Sequence, residues 1–143
     1  MDKELKRINN IFPNLLEPEG DFIDIDADIF FSLNKKNISL LLSNKPFYKL
    51  FEKFISTYPY LIDELPSELV DESIILLAIN GMLDDYHQDF YWDEFFSALK
   101  IFLKNDPFFI KRIINNIQSI REEDYSYLEG SSFGFRLLSS VDL

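Results

Sequence analysis

No cysteine occurs among the 143 residues, so disulfide bonds and thiolate chemistry are excluded. The four glycines (Gly20, Gly81, Gly130, Gly134) are scattered, and none belongs to a phosphate-cradling loop. A single histidine, His87, has nearby carboxylates but lacks the i, i+4 or clustered ligand spacing of a zinc site. No serine stands in a nucleophile-elbow context. The longest apolar stretch, residues 74–79, is far short of a membrane span. Finally, no lysine or arginine lies between Lys53 and Lys100.

That base-free stretch holds ten acids: Asp63, Glu64, Glu68, Asp71, Glu72, Asp84, Asp85, Asp89, Asp93 and Glu94. The whole chain carries a formal charge of −11. Such a charge repels phosphates and anionic membranes and steers association with cationic surfaces, so nucleic acid and membrane are not expected partners. The charge is polarised along the chain. Residues 35–53 hold five lysines against Glu52, and residues 100–121 hold five bases against Asp106.

A hydrophobic fraction of 47%, with fifteen phenylalanines and three alanines, is ample for a core of bulky interlocking side chains. The length is that of one domain, read here as residues 1–143. The first residues lead into an amphipathic segment rather than an apolar one, which reads as a cytoplasmic protein without a secretory signal.

Residues 2–12 place Leu5, Ile8, Ile11 and Phe12 at helical spacing before Pro13. Residues 13–20 read as a turn-rich connection. Residues 22–31 alternate apolar side chains with Asp24, Asp26 and Asp28, which predicts an extended segment with one wet face. Residues 38–42 are too short to assign.

From Asn44 onward the pattern is helical. Phe47, Leu50, Phe51, Phe54, Ile55 and Tyr58 form a stripe, with Pro46 in the first turn and Pro59 closing it. A second helix is predicted over residues 67–83, central because residues 74–79 are apolar almost all round. Gly81, near its end, marks a close helix contact or the start of the exit. A third helix is predicted from Asp93 as N-cap, carrying Phe95, Phe96, Leu99, Phe102 and Leu103 inward. A fourth is predicted from Asp106 and Pro107, burying Ile110, Ile113, Ile114, Ile117 and Ile120. Beyond Glu122, alternation at Tyr125/Tyr127 and Phe133/Phe135/Leu137 allows a small hairpin or a packed tail. The expected fold is mainly α, a compact bundle of four or five helices with a minor extended or hairpin element near the termini. Its predicted core is Phe51, Phe54, Ile75, Leu76, Ile79, Leu99, Phe102, Ile113 and Ile117.

Asp24, Asp26 and Asp28 look like the opening of a calcium loop, but Ile29 and Lys35 stand where that loop needs glycine and glutamate. The adjacent acids Asp84-Asp85 and Glu122-Glu123-Asp124 are of a kind common on solvated surfaces. No catalytic, cofactor or metal site is therefore assigned. Residues 84–94 differ, because Tyr86, Phe90, Tyr91 and Trp92 are interleaved with carboxylates. Aromatics supply packing anchors, and acids supply steering and arginine pairing. The expected partner-binding residues are Asp84, Asp85, Tyr86, Asp89, Tyr91, Asp93 and Glu94, with Glu68, Asp71 and Glu72 as contributors.

In size, acidity, absence of cysteine and this acidic–aromatic segment, the chain resembles the small acidic immunity proteins that bacteria pair with polymorphic or contact-dependent toxins. The resemblance implies an inhibitor of a cationic toxin domain, often a nuclease. The alternatives are a phage-type antagonist of a host nuclease, a non-catalytic regulatory adaptor whose aromatics are all core, and a carboxylate-dependent enzyme.

Overall fold

In the computed structural model, which describes residues 1–84, 92–106, 108, 109 and 112, the fold is built about one helix, α4 (Lys45–Thr57). Its start follows from two residues. The Asn44 side chain accepts from the Phe47 amide at 3.1 Å, and Pro46 occupies the first turn, where no amide donor is needed. Its stripe buries Phe47, Phe51, Phe54 and Ile55, while Tyr58 stays exposed at the end.

Before α4 come α1 (Lys3–Ile11), β1 (Leu16–Glu19), β2 (Phe22–Ile25), α2 (Ala27–Ser32) and α3 (Lys35–Leu42). After it come two 3-10 helices, Pro59–Glu64 and Ser67–Leu69, then α5 (Glu72–Asp84) and α6 (Trp92–Asn105). α4 meets α1, β2, α3, the Pro59–Glu64 helix and α5, and α6 meets both 3-10 helices. Phe30 of α2 sits on the α4 stripe, with ring centroids 5.7 Å from Phe47 and 5.9 Å from Phe51.

α4 and α5 run side by side in the same direction. Tyr48, early in α4, feels the charge of Asp71 just before α5, and Ser56, late in α4, meets Gly81, late in α5. The intervening 3-10 helices are the return path. Burial pushes the Tyr48 phenol up, and the negative charges of Asp71 and Glu52 add to that effect.

The mainly helical expectation holds, with a two-stranded antiparallel hairpin near the amino end. The helix count is higher than expected: six α-helices and two 3-10 helices among the described residues. Residues 22–31 are extended only through Ile25. There the Asp26 carboxylate accepts from the Ile29 amide at 3.0 Å and its carbonyl accepts from Phe30 at 2.9 Å, so the chain turns into α2. Residues 13–20 contain β1, which pairs Leu16 with Ile25 and Glu19 with Phe22. Gly20, with φ 60°, takes the first position of the two-residue loop, the type II′ requirement.

Further corrections concern helix starts. α5 begins at Glu72 rather than Ser67, because the Asp71 carboxylate caps it through the Ile74 amide at 2.9 Å. α6 begins at Trp92, so Asp93 lies in its first turn and is not its N-cap. Of the expected core, Phe51, Phe54, Ile75, Ile79 and Leu99 are buried. Leu76 and Phe102 are half-buried against that core, and Ile113 and Ile117 lie outside the described residues. The buried face assigned to the fourth helix and the pattern beyond Glu122 also lie outside them. Among the described residues, no helix is long and apolar enough to cross a membrane.

Candidate protein-interaction surface

Acidic side chains have local work to do before they can serve a partner, and the structure separates those that do from those that do not. Asp2, Asp26 and Asp71 cap helices. Glu4 pairs with Arg7 at 2.5 Å and accepts from Asn44 at 3.0 Å. Glu68 pairs with Lys35 at 3.8 Å. Arg112 reaches Glu72 at 3.4 Å and Asp106 at 2.5 Å. The hydrogen bond from Arg112 holds the Asp106 carboxyl below the usual aspartate range. Thus Glu68 and Glu72, two expected contributors to the interface, are each answered by a base from a segment that is basic in the sequence. Asp71, the third, is committed to its cap.

Asp28, Asp63, Glu64 and Glu94 have neither a cap bond nor an ion pair among the described residues. Asp28 and Glu94 lie in the first turns of α2 and α6, where a carboxylate opposes the helix dipole and gains about 0.3–1 kcal/mol. Asp63 and Glu64 end the Pro59–Glu64 helix, and Asp84 ends α5. The carboxyl end of the Pro59–Glu64 helix is the wrong end for an acid, and its last turn contains no basic residue.

Of the expected interface, Asp93 and Glu94 are exposed in the first turn of α6, and Asp84 is the last residue of α5. The two helix ends therefore bracket the acidic–aromatic segment. Asp85, Tyr86, Asp89 and Tyr91 lie outside the described residues, as does His87. Among the described residues, no group of three or more histidine or acidic side chains is placed to hold a metal ion.

Two acidic groupings come from residues that the sequence pattern did not bring together. On the hairpin, Glu17, Glu19 and Asp24 share a face with Phe22, which is 61% exposed. The hydrogen bond that Glu19 shares with Asp24, followed by the charge of Asp24, raises the Glu19 carboxyl above its ordinary value. The Lys53 ammonium stands 3.7 Å from the Phe22 ring centre and pins that ring to α4. The available signal was a Gly20-Asp21 pair flanked by acids on one side and alternation on the other.

The second grouping is a groove of about 380 Å³ between α2 and the Pro59–Glu64 helix. It is lined by Ala27, Asp28, Phe31, Ser32, Leu61 and Glu64. Asp28 was expected on a wet strand face with Asp24 and Asp26. Instead Asp24 is on the hairpin, Asp26 caps α2, and Asp28 lines this groove together with Glu64. No sequence spacing links positions 28 and 64. Comparison of the chain with protein-family models, with curated proteins and with solved structures finds no match.

Proposed function

We propose that this chain is a protein inhibitor that binds and neutralises a cationic protein partner, in the manner of the immunity proteins that bacteria pair with toxins. The observation that carries the reading is the placement of Asp63 and Glu64 at the carboxyl end of the Pro59–Glu64 helix with no basic residue in the same turn. Local electrostatics disfavours acids there, and residues that break a local rule are expected where function requires them. The base-free stretch between Lys53 and Lys100 leaves that charge uncompensated by near neighbours in the chain.

A nuclease domain suits this chemistry, because a surface that holds phosphates is basic. An acidic inhibitor can occupy the same ground, with fast and salt-sensitive association. In this reading Asp84, Asp85, Asp89, Asp93 and Glu94 steer and pair with arginines, while Tyr86 and Tyr91 anchor. The protein acts in the cytoplasm, by binding and without catalysis, and does not itself bind nucleic acid.

The test is co-expression with the product of the adjacent gene. Rescue of growth, together with a stoichiometric complex whose association slows steeply with salt, supports the reading. An adjacent product that is harmless, or equally toxic with and without this chain, removes it.

A further inference from the structure

The groove between α2 and the Pro59–Glu64 helix combines three features. Its floor is apolar and partly aromatic: Phe31 and Leu61 are half-buried, and the Phe31 ring lies 5.1 Å from Phe30 and 6.2 Å from Phe54. Its walls hold one carboxylate each, Asp28 from α2 and Glu64 from the 3-10 helix, both exposed and without a cation among the described residues. Its volume, about 380 Å³, is at the small end of the roughly 300–1,000 Å³ of small-molecule sites, so it admits side chains rather than a helix or strand.

These features match one side chain. A guanidinium is planar and weakly hydrated, stacks on an aromatic face, and presents donors to carboxylates on more than one side. Lysine offers a compact, strongly hydrated charge that gains less from an aromatic floor. A neutral apolar group would leave both acids unanswered. We infer that this groove is a receiving site for an arginine of the partner protein, with Phe31 as the stacking surface and Asp28 and Glu64 as the paired acceptors. The inference rests on the inhibitor reading above and names a contact that lies outside residues 84–94.

The experiment is an amide-shift titration of the full chain with a capped Gly-Arg-Gly peptide. The same peptide carrying lysine, and one carrying citrulline, serve as comparisons. Saturating shifts at Asp28, Phe31, Ser32 and Leu61 are expected with arginine, weaker ones with lysine, and none with citrulline, which keeps the shape and loses the charge. Asp28→Asn with Glu64→Gln should weaken arginine binding on the order of tenfold while the remaining spectrum stays in place, since charge-assisted bonds are lost and both sites are exposed. Phe31→Leu should remove the preference for arginine over lysine.

Shifts centred on the hairpin acids or on Asp93 and Glu94, a citrulline response equal to that of arginine, or binding unchanged in the double variant would each overturn the inference. The co-expression test separates this failure from that of the inhibitor reading. Rescue of growth by a protein whose groove ignores arginine would sink the groove and leave the inhibitor standing.

Discussion

Gly81 of α5 lies against the Ser56 backbone of α4 so closely that a Cβ at Gly81 would collide with the Ser56 carbonyl, 2.9 Å from its carbon and 3.0 Å from the Ser56 Cα. Main chain meets main chain at this point, and no side-chain rotation can relieve the crowding. Glycine in a helix interior normally costs about 1 kcal/mol relative to alanine. Here Gly81→Ala should destabilise instead, by about 1–3 kcal/mol net, the usual penalty of overpacking. A urea titration decides it, and a raised midpoint in the alanine variant would show that α4 and α5 separate at little cost.

The hairpin is tied to α1 by one amide. Asn9 donates to the Leu16 carbonyl at 3.1 Å and accepts from the Leu16 amide at 3.0 Å, while the Leu16 side chain is buried. Asn9→Ala strands both backbone groups and should cost about 1–3 kcal/mol. Asn9→Asp keeps the acceptor but sets a carboxylate oxygen against the Leu16 carbonyl, so it should lose at least as much as alanine. Hydrogen exchange at the Leu16 amide should speed up in both variants. If it does not, the tie is ornamental.

Two carboxyls respond to acid in opposite senses. Asp106 has its folded pKa lowered by the hydrogen bond from Arg112, so its contribution is present at neutral pH and disappears as pH falls through that lowered value. Glu19 has its folded pKa raised by Asp24, so its contribution is present below the unfolded glutamate pKa and disappears as pH rises through the raised value. Glu19 is exposed and Asp106 partly so, beside solvent, so these are small terms that are read site by site. Carboxyl-carbon titration should move the Asp106 midpoint up in Arg112→Gln and the Glu19 midpoint down in Asp24→Ala. Unmoved midpoints would dissolve either pairing.

Asp93 and Glu94 have a local role at the start of α6 as well as a proposed one. Asp93→Asn with Glu94→Gln should cost about 0.3–1 kcal/mol per charge through the helix dipole. If these acids also steer a partner, the double variant should associate more slowly and with a shallower salt dependence. An unchanged association rate would confine them to the helix. Charge reversal of Asp85 and Asp89 should slow association further at unchanged stability, as measured by stopped flow beside a urea titration.

Those parts of the fold that announce themselves by period were legible in the sequence. The α4 stripe runs over three turns and the inward face of α6 over more than two, long enough for a 3.6-residue pattern to register, while α5 shows itself by the unbroken apolar run at residues 74–79. α2 has six residues, and its apolar positions continue the alternation of β2 across Asp26, so one period runs over two structures. The strand β1 contains Pro18 and two glutamates, a composition that reads as loop. The acidic character of the candidate surface was legible, but the division of labour within it was not. Whether Glu68 and Glu72 are free depends on Lys35 and Arg112, which lie far along the chain. The groove exists only because α2 folds back beside residues 59–64.

The hairpin also constrains how a partner can approach. The bond from the Asp26 amide to the Leu15 carbonyl makes Leu16 and Ile25 a non-hydrogen-bonded pair, and by the period of two, Pro18 and Ile23 are another. Leu16 and Pro18 therefore turn their backbone groups to the open edge. At Leu16 both groups are already held by Asn9, and at Pro18 there is no donor to offer. An incoming strand would find this edge occupied, donor-poor and flanked by the carboxylates of Glu17 and Glu19, the usual protections against edge-to-edge aggregation. A protein arriving along β1 must be gripped by side chains, because the sheet cannot be extended there into a third strand.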